Sequence, residues 1–327
     1  MAEDALFADL VGHTLALRLL RAALQSGRLA PAYLFAGPEG VGRRLAARRF
    51  LEGVLTGGRG DPGLRRRLAQ GNLADLLWQE PTFLHQGQMV PASQAEALGV
   101  SRRTPPQIRL EQVREVSRFL GRRPMESPRP LVVIEAAEAM PEAAANALLK
   151  TLEEPGDGLL ILISSAPERL LNTIRSRCQW IPFLPLSPAQ MKAVLSREHG
   201  TVDATDDAPS QRPEPEELQI MAGGSPGALL AHQSQWQRLP EGLTERLRAG
   251  SRNPLAALEL AREISEGLEG DQQLWLVQWW QNRLWNRHRD RRHVERLEML
   301  RKHLLSHVQP RLAWEVTLLD LARLPGG

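Results

Sequence analysis

One cysteine, Cys178, stands in a chain of 327 residues, which excludes an internal disulfide and leaves no cysteine set for a structural zinc. Lysine is scarce and arginine greatly outnumbers it, so the pI of 9.6 overstates the basicity. The net charge is only +3, from 41 basic and 38 acidic side chains, which is no nucleic-acid footprint by itself. No apolar run reaches the ~18 residues of a membrane span. Met1 to Asp9 is acidic and shows no secretory leader. The eight histidines are scattered without metal-ligand spacing. These absences together lead to the expectation of a cytoplasmic protein.

The chain has too many residues for one compact core of ordinary size, so two or three domains are expected. Its first half alternates strand and helix patterns. Leu15 to Leu24 has helical spacing and a stop at Gly27. Ala32 to Ala36, Leu131 to Ile134 and Leu159 to Ile163 are short, continuous apolar runs that read as buried strands. Arg109 to Leu120 and Pro141 to Glu154 read as helices between them. That alternation predicts a parallel sheet covered on both faces. Thr56 to Pro106 is rich in Gly, Pro, Gln and Arg and reads as loops with one or two short helices. After Pro185 only helices are expected, with a flexible acidic insertion at 201–217.

The first strand ends in Gly37-Pro38-Glu39-Gly40-Val41-Gly42, followed by Arg43-Arg44 at the start of a helix. Strand, glycine-rich turn and helix is the setting of a phosphate loop, G-x-x-x-x-G-K-[ST]. The glycines Gly37, Gly40 and Gly42 are present, but the chemistry is not. Arg43 replaces the lysine that reaches the β/γ-phosphates, and Arg44 puts a cation where a hydroxyl should hold Mg²⁺. The second strand runs into Glu135-Ala136. Glu135 could serve as a weak metal partner, whereas Ala136 has no carboxylate to orient an attacking water. A plain glycine-rich turn is the alternative reading of this loop.

Asn146-Ala147-Leu148-Leu149-Lys150-Thr151-Leu152-Glu153-Glu154-Pro155 resembles the helix after the second ATPase strand of bacterial clamp-loader subunits. Ser176-Arg177-Cys178 resembles their Ser-Arg-Cys motif, and Pro31 to Phe35 with Gly37-Pro38 resembles their N-terminal stretch. The likeness covers roughly Leu6 to Pro185 and is looser beyond, at Gly224-Ser225-Pro226-Gly227 and near Arg311 to Leu324. It implies membership of the AAA+ clamp-loader family. The expected fold is then an AAA+ α/β domain of the P-loop NTPase type at 1–182. A small helical lid follows at 183–236, and an all-α collar at 237–327.

Within that family the defects at Arg43, Arg44 and Ala136 favour the delta-prime branch, as does Gly227 where an active subunit carries a second sensor arginine. The resemblance implies gamma/tau ATPase subunits and a delta subunit as partners, with the sliding clamp and primed DNA met through the complex. No cofactor, metal or zinc is expected, although the glycines leave residual ATP or ADP binding open. Many family members carry a four-cysteine zinc module after the phosphate loop; with no cysteine between Gly42 and Arg177, that module is expected to have lost its metal or been replaced. Arg177, flanked by Ser176 and Cys178, is expected to act in trans on a neighbour's ATP, because a guanidinium stays charged and grips two oxygens at once. The alternatives are an active gamma/tau-type ATPase and a stand-alone AAA+-like DNA-binding protein. Trp275, Trp279, Trp280 and Trp285 are expected in the helical core rather than in a base-stacking platform. Arg65-Arg66-Arg67 reads as a solvated face, and Cys178 as a small buried residue.

Overall fold

In the computed structural model, residues 6–100, 104–154, 156–199, 216–250, 253–306 and 308–323 are described. They fall into two compact units. The first runs to His199, Thr104 excepted, and takes in Gly224–Ala228; the second holds the other described residues.

The strands are β1 (Ala32–Ala36), β2 (Leu76–Gln79), β3 (Thr82–His85), β4 (Gln88–Pro91), β5 (Leu131–Ile134), β6 (Leu159–Ser164) and β7 (Gln179–Pro182). Five of them form one sheet in the order β2-β5-β6-β1-β7, every neighbouring pair parallel. Three runs are apolar throughout because both of their faces are covered. The pleat sends Tyr33, Phe35, Val133, Ile161 and Ile163 to one side. It sends Leu34, Val132, Ile134, Leu160 and Leu162 to the other. Helices α1 (Thr14–Ser26) and α2 (Arg43–Thr56) cover the first side through Leu17, Leu20, Ala46 and Phe50. α3 (Pro62–Gln70) follows α2 in the chain. Helices α4 (Leu110–Leu120) and α5 (Glu142–Glu153) cover the second side through Val113, Val116 and Leu148. The expected parallel α/β sheet is therefore observed. β1 lies between β6 and β7, so the connections leaving β1 and β6 part there and open a crevice at the strands' C-terminal ends.

Two strands of the sheet were not expected. β2 falls inside the stretch read as loops, and β7 directly follows Cys178. Both are edge strands: β2 is half-buried throughout, and Gln179 and Trp180 of β7 are exposed. Neither shows the continuous apolar run of an interior strand. The stretch also contains the antiparallel hairpin β3–β4, which folds over a small cluster of Phe83, Val90, Ala95 and Val100.

Two buried carboxylates hold this region together. Glu52 on α2 has no exposed surface. Both its oxygens accept from Arg65 Nε, at 2.9 and 2.8 Å, and it also accepts the Asp61 N–H at 2.7 Å. That pins α3 to α2, and Arg65 belongs to this cross-link instead of a solvated face. Asp75 accepts N–H groups from Met125, Glu126 and Ser127 at 2.7–2.8 Å and the Ser127 hydroxyl at 2.7 Å. It thereby fixes the turn that feeds β5.

After α6 (Asn172–Arg175) and α7 (Pro188–His199) the chain is helical. The expected insertion at 201–217 lies outside the described residues up to 215, while Glu216 and Glu217 open a helix instead. The helices are α8 (Glu216–Ala222), α9 (Pro226–Gln237), α10 (Leu243–Ala249), α11 (Pro254–Gly267), α12 (Gly270–His288), α13 (Arg291–Leu305) and α14 (Pro310–Leu321). Trp275, Trp279 and Trp280 of α12 are core, as expected. Trp285 is not: it is 41% exposed, with the Arg289 guanidinium over its ring. No helix among the described residues is long and apolar enough to cross a membrane.

Burial raises the Asp75 carboxyl, but the donors from Glu126, Met125 and Ser127 outweigh it and hold it at about 2 against an ordinary 3.8. A depressed carboxylate contributes stability that is complete above its ordinary value and lost as pH falls through the folded one. Asp75→Ala should cost roughly 2 kcal/mol at pH 7, because three N–H donors lose their acceptor. It should also flatten the loss of stability between pH 3.8 and about 2. Urea unfolding across that range measures both.

Candidate functional site

The loop after β1 turns at Gly37, Gly40 and Gly42, and Gly42 precedes the first turn of α2 with φ 104°. It borders an open cleft of about 570 Å³ at the C-terminal end of the sheet. Gly40, Gly42, Arg43, Arg44 and Glu135 all line this cleft, as do Glu39, Ala136 and Glu138. Of the expected phosphate-loop site residues, only Gly37 is not among those that line it.

One ion pair spans the cleft. Arg44 Nε lies 2.7 Å from Glu135 Oε1, and the same oxygen accepts the Trp78 indole N–H. Burial pushes the Glu135 carboxyl above its ordinary value even though Arg44, Trp78 and Arg48 pull it down. Arg43 is only 7% exposed, and its Nη1 is buried without a hydrogen-bond partner. Burial lowers the Arg43 guanidinium, while Glu138, Glu39 and Glu135 keep it charged. Burial also raises Glu138, but its hydrogen bonds, led by the Ser165 hydroxyl, outweigh that and leave it below the ordinary carboxylate range. Ala136 lies in the left-handed region at φ 45°.

These side chains do not fit Mg²⁺-bound ATP. The lysine and the metal-binding hydroxyl are absent, Glu135 is held by a cation, and the position after it carries a methyl group. Three arginines and four carboxylates line the cleft, so it offers a triphosphate no excess positive charge.

A second segment of the same unit closes on the loop. Gly227 donates its N–H to the Gly40 carbonyl at 3.0 Å, and the Ser225 hydroxyl donates to the Glu39 carbonyl at 2.5 Å. A Cβ on Gly40 would sit 2.6 Å from Ala228 N and from Ser225 Oγ, and one on Gly227 would sit 2.9 Å from Gly40 Cα. Sequence reasoning had singled out Gly227 as a missing arginine; its contact with the loop was not legible. The two partners in that contact lie nearly two hundred positions apart, which no local pattern reports.

Ser176, Arg177 and Cys178 do not line the cleft. They follow α6 and lead into β7. Arg177 donates to the Thr173 carbonyl at 3.1 Å and to Glu153 Oε1, on α5, at 2.9 Å. Its side chain is 37% exposed and that of Glu153 is 54% exposed. Ser176 Oγ donates to the Thr173 carbonyl at 3.2 Å. Cys178 is half-buried against the second core, and burial pushes its thiol up to about 12, so it stays protonated.

Residues 12–187 match the family model described as DNA polymerase III, delta subunit. Residues 189–321 match the model described as Cyanobacterial DNA polymerase III delta prime, C-terminal domain. The chain is 37% identical over 205 residues to the DNA polymerase III subunit delta' of Pseudomonas aeruginosa, covering 60% of this chain and 54% of that protein. It is 34% identical over 188 residues to the subunit delta' of Bacillus subtilis, covering 55% and 49%. It is 31% identical over 196 residues to the DNA polymerase III subunit gamma/tau of Mycobacterium tuberculosis, covering 60% and 31%. The chain thus spans about half the length of these two delta' relatives.

The Gly40–Gly227 contact is testable against a glycine of the same conformation in open space. Gly40 has φ +75° and a crowded Cβ position, whereas Gly57 has φ +65° and nothing within 4 Å. Gly57→Ala should cost about 1 kcal/mol, from the left-handed backbone alone. Gly40→Ala should cost roughly 2 kcal/mol more, because Ser225 or Ala228 must also shift. Thermal or urea denaturation of the two variants provides the comparison.

Proposed function

The chain belongs to the family described as DNA polymerase III, delta subunit, and from that premise we propose that it is the delta-prime component of a clamp loader. In this reading it does not split ATP. It works as a scaffold and lends Arg177 to the ATP site of a neighbouring gamma/tau-type ATPase subunit. The delta subunit, the sliding clamp and primed DNA belong to the same assembly.

The observation that carries the first half is the Arg44–Glu135 pair at 2.7 Å. Phosphoryl transfer needs a metal on the β- and γ-oxygens and a carboxylate that holds it. Here an arginine side chain occupies that carboxylate. Glu135, raised by burial, leaves Arg44 only if another cation replaces it.

The second half rests on how loosely Arg177 is held. An exposed ion pair such as Arg177–Glu153 is worth about 0–1 kcal/mol. A γ-phosphoryl group carries more charge than one carboxylate and accepts both ends of the guanidinium fork. Arg177 can therefore exchange Glu153 for a phosphate at little cost. The turn behind it is held by Cys178 packed against the second core and by Ser176 on Thr173, so the arginine is presented from a firm base.

In the reconstituted complex, Arg177→Ala should lower DNA-stimulated ATP turnover by about tenfold or more at the site it completes, with assembly intact by gel filtration. Arg177→Lys should not restore it, because an ammonium cannot bridge two oxygens. An unchanged rate in an intact complex would end the trans role. The purified chain alone should show no ATP turnover; Mg²⁺-dependent hydrolysis by it would favour an active ATPase of the gamma/tau type.

A further inference from the structure

The second unit contains a small cavity of about 40 Å³, walled by helices α10, α11, α12, α13 and α14. Its polar lining consists of Arg246, Arg248, Arg283, Arg287, His288 and His293, with no carboxylate among the lining residues. Leucines and Trp280 make up most of the remainder. From the geometry of this pocket we infer a binding site for one small oxyanion of the phosphate class, separate from the cleft at the sheet and independent of the proposed ATP chemistry.

Two buried polar groups there lack partners. His293 is fully buried, and neither ring nitrogen makes a hydrogen bond. A buried polar group without a partner is costly, and a ligand that accepts its N–H removes the cost. Arg248 Nε is likewise buried and unpartnered. The Arg248 guanidinium lies 5.6 Å from both the Trp236 and the Trp279 ring centroids, which stiffens it before any ligand arrives.

The charge in the pocket is in surplus. Glu217 pairs with both Arg248 and Arg283, and Glu263 pairs with Arg246. Four arginines against two carboxylates leave two positive charges uncompensated. Asp290 lies 3.9 Å from His293 but is engaged by Arg292 at 2.7 Å, and Asp320 is paired with Arg296 at 3.1 Å. Arg287 is exposed at the rim and could swing onto a bound anion. The cavity has room for a few heavy atoms and not for a nucleotide. Arginines converging on so small a space suit a tetrahedral oxyanion gripped by guanidinium forks.

Burial holds His293 below its ordinary value, and His288 and Arg292 add to this while Asp290 opposes it. It therefore enters neutral at pH 7, with one N–H to donate.

The test is calorimetric titration of the full chain with inorganic phosphate at fixed ionic strength, with acetate and glycerol phosphate as parallel ligands. Saturable phosphate binding is expected, weakened about tenfold or more in Arg287→Ala and retained in Arg43→Ala. Glycerol phosphate binding equally well would identify an esterified phosphate as an acceptable source, and its failure would restrict the site to the free ion. Three results would overturn the assignment: no saturation up to about 10 mM phosphate, equal binding of acetate, or loss of binding in Arg43→Ala but not in Arg287→Ala.

Discussion

The ion pair between Arg44 and Glu135 decides the character of the sheet's cleft. A carboxylate at the end of β5 is the natural ligand for a metal, and Glu135 occupies that place. Arg44 comes from the position one residue into α2 where a metal-binding hydroxyl would stand, so the two groups meet because the loop and the strand meet. The pair puts a cation that cannot leave the chain beside that carboxylate. Trp78 from the edge strand adds a hydrogen bond to the same oxygen. Removing Arg44 alone would leave the largely buried Glu135 with only the Trp78 hydrogen bond and the more distant Arg48, which is a worse state than the pair. Restoring a hydroxyl there would not by itself rebuild a metal site, since Ala136 and Arg43 still differ from what the chemistry requires.

A preference for arginine runs through the molecule. Its planar fork holds Glu52 to α3, Glu135 in the cleft and Glu217 in the helical unit. Each case sets a stiff, permanently charged donor against a carboxylate in a sheltered place, where a lysine would be a mobile point charge. The scarcity of lysine is thus consistent with structural use of cations rather than with a diffuse basic surface. Arg177 is the exception in this set. Its partner Glu153 is more exposed than it is, so this fork is more readily surrendered to a stronger anion than those on Glu52, Glu135 or Glu217.

The interior of the sheet was legible in the sequence because β1, β5 and β6 are buried on both faces and so carry continuous apolar runs, broken only by Ser164 at the end of β6. The helices α4 and α5 were legible from their spacing and their flanking Pro141. The edge strands were not: β2 and β7 need to be apolar on only part of their surface, and four residues give too little pattern to tell a strand from a loop. The residues of the cleft were legible as a group because a motif fixes their order. The pairings inside it were not. That Arg44 would take Glu135, that Arg43 would be buried, and that Gly227 would reach Gly40 all depend on contacts between distant segments. The roles of Glu52 and Asp75 escaped for the same reason, since a buried acid looks like any other acid until its donors are known.

The glycines of the loop invite the reading that phosphate binding persists there, but packing accounts for them without any phosphate. A side chain on Gly37 would meet the Phe183 carbonyl oxygen at 2.1 Å, and one on Gly40 would meet Ala228 N and Ser225 Oγ at 2.6 Å. Gly42 has open space beyond Leu10 at 3.4 Å, yet its φ of 104° disfavours any residue with a Cβ. Two of the three positions are therefore set by contact and the third by backbone conformation. A loop can lose its lysine and its hydroxyl, because those serve only the ligand, and still need its glycines, because those serve the fold. The pattern of loss and retention along Gly37–Arg44 is what a cleft kept for its shape, and released from its chemistry, would show.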